Sequence, residues 1–282
     1  MTYQQLLTIS QKNLSENNIH DGFAFRLMLE MCELKGINLY MDKDTEMSQS
    51  FATEYANNID RLLLNEPMAY VLGFEWFFGR RFITDSSVLI PREETEELVG
   101  HVLADIDEYF SDSCVIFDVA TGSGNLGITL KLELPNSTVL CSDISVDAIE
   151  TAKKNASNLE ANVNFLVGDM AQPFIERNIK CDVLVCNPPY ILFSEEVQTS
   201  VLEYEPHVAL FGGEDGLDFY RQLLDEAPRI LNEKSMIAFE MGFNQRENLT
   251  VEIKKRFPEA TIRFEKDLNG LDRMCFVYFN CN

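Results

Sequence analysis

Basic residues are scarce in this sequence. Lys and Arg number 23 against 46 Asp and Glu, a formal charge of −23. Such a field repels phosphate backbones and slows association with free DNA or RNA; it favours a small ligand or a basic protein partner. Histidine occurs three times and tryptophan once. The cysteines are Cys32, Cys114, Cys141, Cys181, Cys186, Cys275 and Cys281, an odd count of seven without a C-x-x-C pair. Neither a disulfide framework nor a zinc site follows from those spacings, so reduced buried thiols are expected and no metal is assigned. No run approaches the roughly 18 apolar residues of a membrane span, and the opening "MTYQQLLTISQKNLSENN" lacks the basic-then-apolar order of a signal peptide. The expectation is a cytoplasmic protein with no membrane partner and no direct nucleic-acid partner.

What is present suffices for a substantial core: 282 residues, 46% of them hydrophobic, suit one large domain or two ordinary ones. Up to about residue 66 the pattern is helical. Ala24, Leu27, Met28 and Met31 recur at helical spacing before Gly36, and Phe51, Tyr55, Ile59, Leu62 and Leu63 form a second stripe ended by Pro67. The aromatic and β-branched stretch "AYVLGFEWFFGRRFITDSSVLIP", broken at Gly73 and Gly79, reads as a β-hairpin linking two domains. From Thr95 a helix is expected to about Tyr109. Apolar strands are then expected at Val115–Val119, Thr138–Cys141, Val163–Val167, Asp182–Cys186, Met236–Met241, Thr261–Phe264 and Met274–Phe279. Helical patterns such as "NLGITLKLEL", "SVDAIETAKKNASNL" and "GLDFYRQLLDEAPRIL" lie between several of them. Alternation of this kind argues for an α/β fold, a mostly parallel sheet of seven strands covered by helices on both faces. The expected division is a helical domain at 1–68, a hairpin linker at 69–94 and an α/β domain at 95–282.

Two short motifs carry the chemistry. In "FDVATGSGNLG", Gly122, Gly124 and Gly127 fit G-x-G-x-x-G between a strand and a helix, and Asp143 stands at the end of the next strand. Glycines let the backbone turn tightly and approach a ligand, while an acid at that strand tip can take both ribose hydroxyls. An adenosyl-containing cofactor is expected there, and the loop alone does not say which one. A nicotinamide dinucleotide needs its pyrophosphate at the helix N-terminus, where Asp118 is poor company; S-adenosylmethionine has no phosphate, and its ammonium group suits Asp118 directly or through water.

The second motif is "CNPPY", residues 186–190. A central strand cannot hold proline, so the fourth strand must stop at about Cys186, at the sheet edge where open α/β folds bind ligands. A planar amide or amine nitrogen is a poor nucleophile because its lone pair is delocalised. Two acceptors gripping its N–H groups would orient it: the Asn187 side-chain oxygen and the carbonyl of Pro188, which must be extended because Pro189 follows. Neither proline offers a competing N–H, and Tyr190 offers a flat face for the planar acceptor.

With these residues in place, the chain resembles the amino-methyltransferases. The stretches "EPMAYVLGFEWFFGRRF", "VLIPREETEELV", "EPHVALFGGEDGLDFYR" and "KDLNGLDRM" narrow the resemblance, over nearly the whole length, to the release factor glutamine methyltransferases, the PrmC/HemK family. The resemblance implies a Rossmann-like S-adenosylmethionine-dependent methyltransferase sheet behind a helical substrate-docking domain. It implies methyl transfer to the side-chain amide of the glutamine in the Gly-Gly-Gln loop of class 1 peptide chain release factors. By the same matching Ala120, Thr121, Gly122, Ser123 and Gly124 border the cofactor with Asp118, Asp143 holds its ribose, Asp169 and Met170 flank the adenine, and Asn187, Pro188, Pro189 and Tyr190 hold the glutamine, Asn187 also bordering the cofactor. The family commonly has Gly at the position of Ala120, Pro at that of Glu93 and an aromatic residue at that of Met170. Arg92, Glu94 and Thr95 border the pocket or merely cap a helix; Glu205, Pro206 and His207 shape a channel or a turn; Gly242 and Gln245 are read as structural. Three rival readings remain at this stage, one of them a catalytically silent binding protein that keeps the fold. A nicotinamide-dependent oxidoreductase leaves Asn-Pro-Pro-Tyr unexplained, and an amino-methyltransferase of nucleic-acid bases is opposed by the charge.

Overall fold

Thr2 and Gln5 begin the first helix with a reciprocal cap, each side chain bonded to the other's backbone N–H, which satisfies donors that a helix start leaves open. The computed structural model describes residues 1–281 and divides into two compact units: Met1–Phe74 with Gln198–Tyr204, and Glu75–Val197 with Glu205 onward. In the first unit α1 (Tyr3–Glu16), α2 (Gly22–Leu34), α3 (Leu39–Asp42), α4 (Gln49–Leu63) and α5 (Met68–Leu72) follow in order. The apolar stripes of α2 and α4 face one core, in which Leu27, Met28, Phe51 and Tyr55 are buried. Each such side chain stabilises by roughly 1.5–3 kcal/mol relative to its exposed state. Only Leu63 of the second stripe stays half-buried. The Tyr55 hydroxyl donates to the carbonyl of Ala24 at 2.9 Å, so the buried ring keeps its polar tip satisfied.

One stretch departs from expectation. The segment read as a hairpin begins with α5, and only Phe74–Phe77 (β1) and Arg80–Ile83 (β2) pair. The reason is local. Arg61 donates to the carbonyls of Tyr70 and Val71, which a helix end leaves unpaired, and Gly73 takes the left-handed conformation that closes the turn. The hairpin then turns at Phe78 and Gly79, both at positive φ, as a two-residue connection requires.

The second unit continues with α6 (Glu93–Tyr109), two residues earlier than expected, with Arg92 in extended backbone at the cap position. Next come β3 (Val115–Val119), α7 (Asn125–Glu133), β4 (Thr138–Asp143), α8 (Val146–Asn158), β5 (Asn164–Val167), α9 (Gln172–Glu176) and β6 (Cys181–Cys186). After α10 (Thr199–Tyr204) in the first unit, the chain makes α11 (Asp218–Ile230), β7 (Leu231–Glu240), α12 (Arg246–Arg256), β8 (Thr261–Lys266) and β9 (Asp272–Phe279). All seven expected strands form one sheet in the order β5-β4-β3-β6-β7-β9-β8, in which β9 alone runs against the others. The sheet separates two cores. Phe117, Leu184 and Ile237 lie in one, and Ile116, Val183 and Val185 in the other, as alternation along strands covered on both faces dictates.

Candidate active site

Strand register brings the two motifs together. Val119 pairs with Cys186 and with Ser142, so Ala120, Asn187 and Asp143 leave neighbouring strands side by side at the carboxyl edge. This is where the strand order reverses around β3, the place at which open α/β sheets form a ligand crevice.

The glycine loop is held from beneath. Asp118 Oδ2 accepts from the backbone N–H of Gly127 at 2.9 Å and from the Thr121 hydroxyl. A Cβ on Gly127 would meet Cys141 Sγ at 2.4 Å and Asp118 Oδ2 at 2.9 Å, so the helix can pack this close only with glycine there. Asn155 of α8 donates to the carbonyls of Ser123 and Ile83 and accepts from the Ile83 N–H, tying the loop to β2. Asp143 accepts from Gly122 N–H through one oxygen and from Ser145 N–H through the other, both at 2.9 Å. Burial pushes the Asp143 carboxyl above its ordinary value against those bonds. The next turn, Asp169–Met170, is fixed by the Ser142 hydroxyl donating to the Met170 carbonyl and by buried Glu226 accepting from Ala171 N–H. Gln222 donates to Asp169 at 3.0 Å.

Asn187 follows directly on β6. Its Nδ2 donates to Thr95 Oγ1 at 3.2 Å, and that hydroxyl donates to Glu240 Oε2 at 2.6 Å. The other Glu240 oxygen accepts from the Tyr190 hydroxyl at 3.2 Å. Glu240 is buried, which raises its pKa, and the Thr95 bond opposes the rise. Behind the tetrapeptide, Gln245 Nε2 donates to the carbonyls of Tyr190 and Gly216, both at 3.1 Å, while its oxygen accepts from Gly242 N–H. Ile191 exchanges backbone bonds with Leu210 and Gly212, and a Cβ on Gly212 would meet the Pro189 carbonyl at 2.6 Å. Gln245 and Gly242, read from sequence as purely structural, thus anchor the backbone on which Tyr190 stands.

A cleft with about 1040 Å³ of empty space, counting the solvent at its mouth, runs along these strand ends. Of the residues expected at the site, Ala120, Thr121, Gly122, Ser123, Asp143, Asp169, Met170, Asn187 and Pro189 line it, as do Arg92, Thr95 and Pro206; Asp118, Gly124, Pro188, Tyr190, Glu94 and His207 do not. Asp118 lies beneath the glycine loop. It is fully buried, its pKa pushed up to about 7 chiefly by that burial, and it works through the loop above it. Gly124 caps α7 at positive φ, its missing Cβ making room for Ile128 and Ala152. Glu205, 4% exposed, accepts from Ile90 N–H at 3.1 Å and from Arg92 at 2.5 Å, pinning the segment that enters α6. No sequence signal marked Asn155, Glu226 or Glu240, since each reaches the site from a distant element.

The donor set fits S-adenosylmethionine. Asp118 Oδ1 is buried without a hydrogen-bond partner under the loop, and Asp143 and Asp169 place carboxylates at the cleft. Arg92, the basic residue that lines it, is engaged by Glu205. Such a cleft suits a cationic sulfonium and ammonium and opposes a pyrophosphate. The half-buried Asp143 keeps lone pairs beyond its two backbone bonds for hydroxyl donors.

Comparison with known proteins agrees. Residues 98–203 match the methyltransferase small domain and residues 5–73 the PrmC N-terminal domain. A methyltransferase from Pyrococcus furiosus superposes with a TM-score of 0.52 at 19% identity, covering 80% of this chain and all of that one, a likeness of fold. The release factor glutamine methyltransferase of Bacillus anthracis is 39% identical over 98% of this chain and 99% of its own. That of Bacillus subtilis is 41% identical over 73% of each. The chain therefore belongs to the release factor glutamine methyltransferase family.

Proposed function

We infer that this protein transfers a methyl group from S-adenosylmethionine to the side-chain amide nitrogen of the Gly-Gly-Gln glutamine of class 1 release factors. The reading rests on membership of the family and on one local observation: Asn187 leaves β6 beside the glycine loop with its Nδ2 already engaged by Thr95. Its oxygen is left to accept from a substrate amide.

When bound, S-adenosylmethionine supplies an electrophilic methyl group on a sulfonium. Asp143 takes the ribose hydroxyls, Asp169 and Met170 flank the base, and the backbone from Ala120 to Gly124 borders the remainder, with Asp118 holding that backbone in shape. Asn187 Oδ1 accepts one N–H of the target amide, and the Pro188 carbonyl accepts the other. The Tyr190 ring is held by its hydroxyl on Glu240 and by Gln245 on its carbonyl, and presents a face to the planar amide. Holding both N–H groups sets the nitrogen's direction, and positioning of this kind is worth several kcal/mol or more, up to about 7–11 in favourable cases. The amide proton is lost after transfer, when the nitrogen has become acidic, so no strong base is required; His207 has no assigned role.

The helical unit, about residues 1–68, is proposed to dock the release factor, with 69–94 as linker and 95–282 as the catalytic domain. No helix among the described residues is long and apolar enough to cross a membrane, and a cytoplasmic location suits an enzyme whose substrate works in translation. The test is mass spectrometry of a recombinant release factor incubated with the protein and S-adenosylmethionine. One added methyl on the Gly-Gly-Gln glutamine is expected; an unmodified factor alongside demonstrated cofactor binding would overturn the substrate assignment.

A further inference from the structure

We propose that Thr95 and Glu240 are positioning residues that decide which end of the Asn187 amide faces the substrate. The proposal rests on the reading that Asn187 accepts a hydrogen bond from the target amide. A carboxamide has two ends of nearly the same shape, one a donor and one an acceptor, so its own packing does not choose between them. The wrong choice would point two N–H donors at a substrate that is itself a donor. Here the choice is made two bonds away. Glu240, the last residue of β7, is 2% exposed and accepts from Thr95 through Oε2 and from Tyr190 through Oε1. A hydroxyl has a single proton. With that proton given to the carboxylate, Thr95 Oγ1 can only accept from Asn187, 3.2 Å away. The NH2 end of Asn187 must therefore turn to Thr95, and its oxygen is left for the cleft.

The residue types suit a directed chain, with Arg273 adding favourable charge for the acid. Thr95 is itself 2% exposed and lies on α6, in the first turn after Arg92. A filler there would be served by Val, which has the same shape. An acid at position 240 is costly to bury, and a packing role alone would be met by Met or Leu. The carboxylate supplies what neither can: two acceptor sites, one setting the proton of Thr95 and the other holding the Tyr190 hydroxyl. Both side chains proposed to hold the substrate amide, Asn187 and Tyr190, thus depend on one buried group.

The experiment has one arm free of cofactor and substrate. With asparagine side chains labelled for NMR, one Asn187 Nδ2 proton should be shifted and protected from exchange in the wild-type protein and in Thr95→Ser, and released in Thr95→Val. In turnover, Thr95→Val should lower kcat by about tenfold or more with cofactor affinity unchanged, and Thr95→Ser should restore it. A second pair tests direction with Thr95 left in place. Asn187→Asp should be nearly inactive, because one hydroxyl proton cannot serve two carboxylates. Adding Glu240→Gln should recover about tenfold or more: the new amide at position 240 donates to Thr95, which passes its own proton to the new carboxylate at 187. Wild-type kcat in Thr95→Val, or a double variant no more active than Asn187→Asp, would overturn the proposal. Should Thr95→Val fail to fold, the second pair decides. A wild-type protein that transfers no methyl would instead sink the functional reading, and the NMR arm would still judge the chain of bonds.

Discussion

Ala120 sits at φ 58°, in the left-handed region, at the tip of the cofactor loop. A Cβ there costs about 1–2 kcal/mol, part of which returns as reduced freedom of the unfolded chain. Ala120→Gly should therefore raise the unfolding free energy by roughly 0.5–1 kcal/mol, read from denaturant melts; a loss of stability would show that the loop is not strained. Asp118 gives a pH signature. Its folded pKa, about 7, stands above the ordinary 3.8, so its contribution to stability is full below 3.8 and is lost as pH rises through about 7. The wild-type melting temperature should fall relative to Asp118→Asn across that interval, and parallel pH profiles would contradict the assignment. The sequence made Gly122, Gly124, Gly127 and Asp143 readable because their spacing is a backbone requirement. What Asp118 holds was not legible, since its bonds to Thr121 and to the Gly127 N–H exist only once the loop has folded over β3. Thr95 and Glu240 meet Asn187 across 145 positions of separation between themselves, a juxtaposition that only the tertiary fold creates.

At the scale of elements, the turn 212–216 and Gln245 clamp the exit of β6. Gly216 is at φ 73°, and a Cβ there would meet the Tyr190 carbonyl and Gln245 Nε2, each at 2.4 Å. Gly216→Ala should cost on the order of 2 kcal/mol in stability, and the folded fraction should lose kcat before it loses cofactor affinity; the reverse order would place this turn at the cofactor instead. Gln245→Ala should give a milder form of the same split. All seven strands of the sheet were legible as apolar runs between turn signals, and β6 ended at Cys186 because proline cannot continue a central strand. The short α5 was not. Its Met-Ala-Tyr-Val-Leu sequence reads equally as a strand, and what makes it a helix is Arg61, a partner from the preceding helix.

For the whole molecule, a charge of −23 sets how a protein substrate arrives. Long-range attraction acts on encounter and is screened beyond about 10 Å at 0.1 M salt. Raising ionic strength should lower kcat/KM for the release factor while leaving kcat nearly unchanged, and a salt-independent kcat/KM would remove charge from the encounter. The central claim, that Asn187 grips the reacting amide and not the cofactor, has a direct measurement in Asn187→Ala. Calorimetry of S-adenosylmethionine binding and the rate of release factor methylation would be taken on the same preparation. The account predicts cofactor affinity close to wild type and turnover reduced by about 100-fold or more. Turnover within a few-fold of wild type, or a loss explained wholly by weaker cofactor binding, would contradict it.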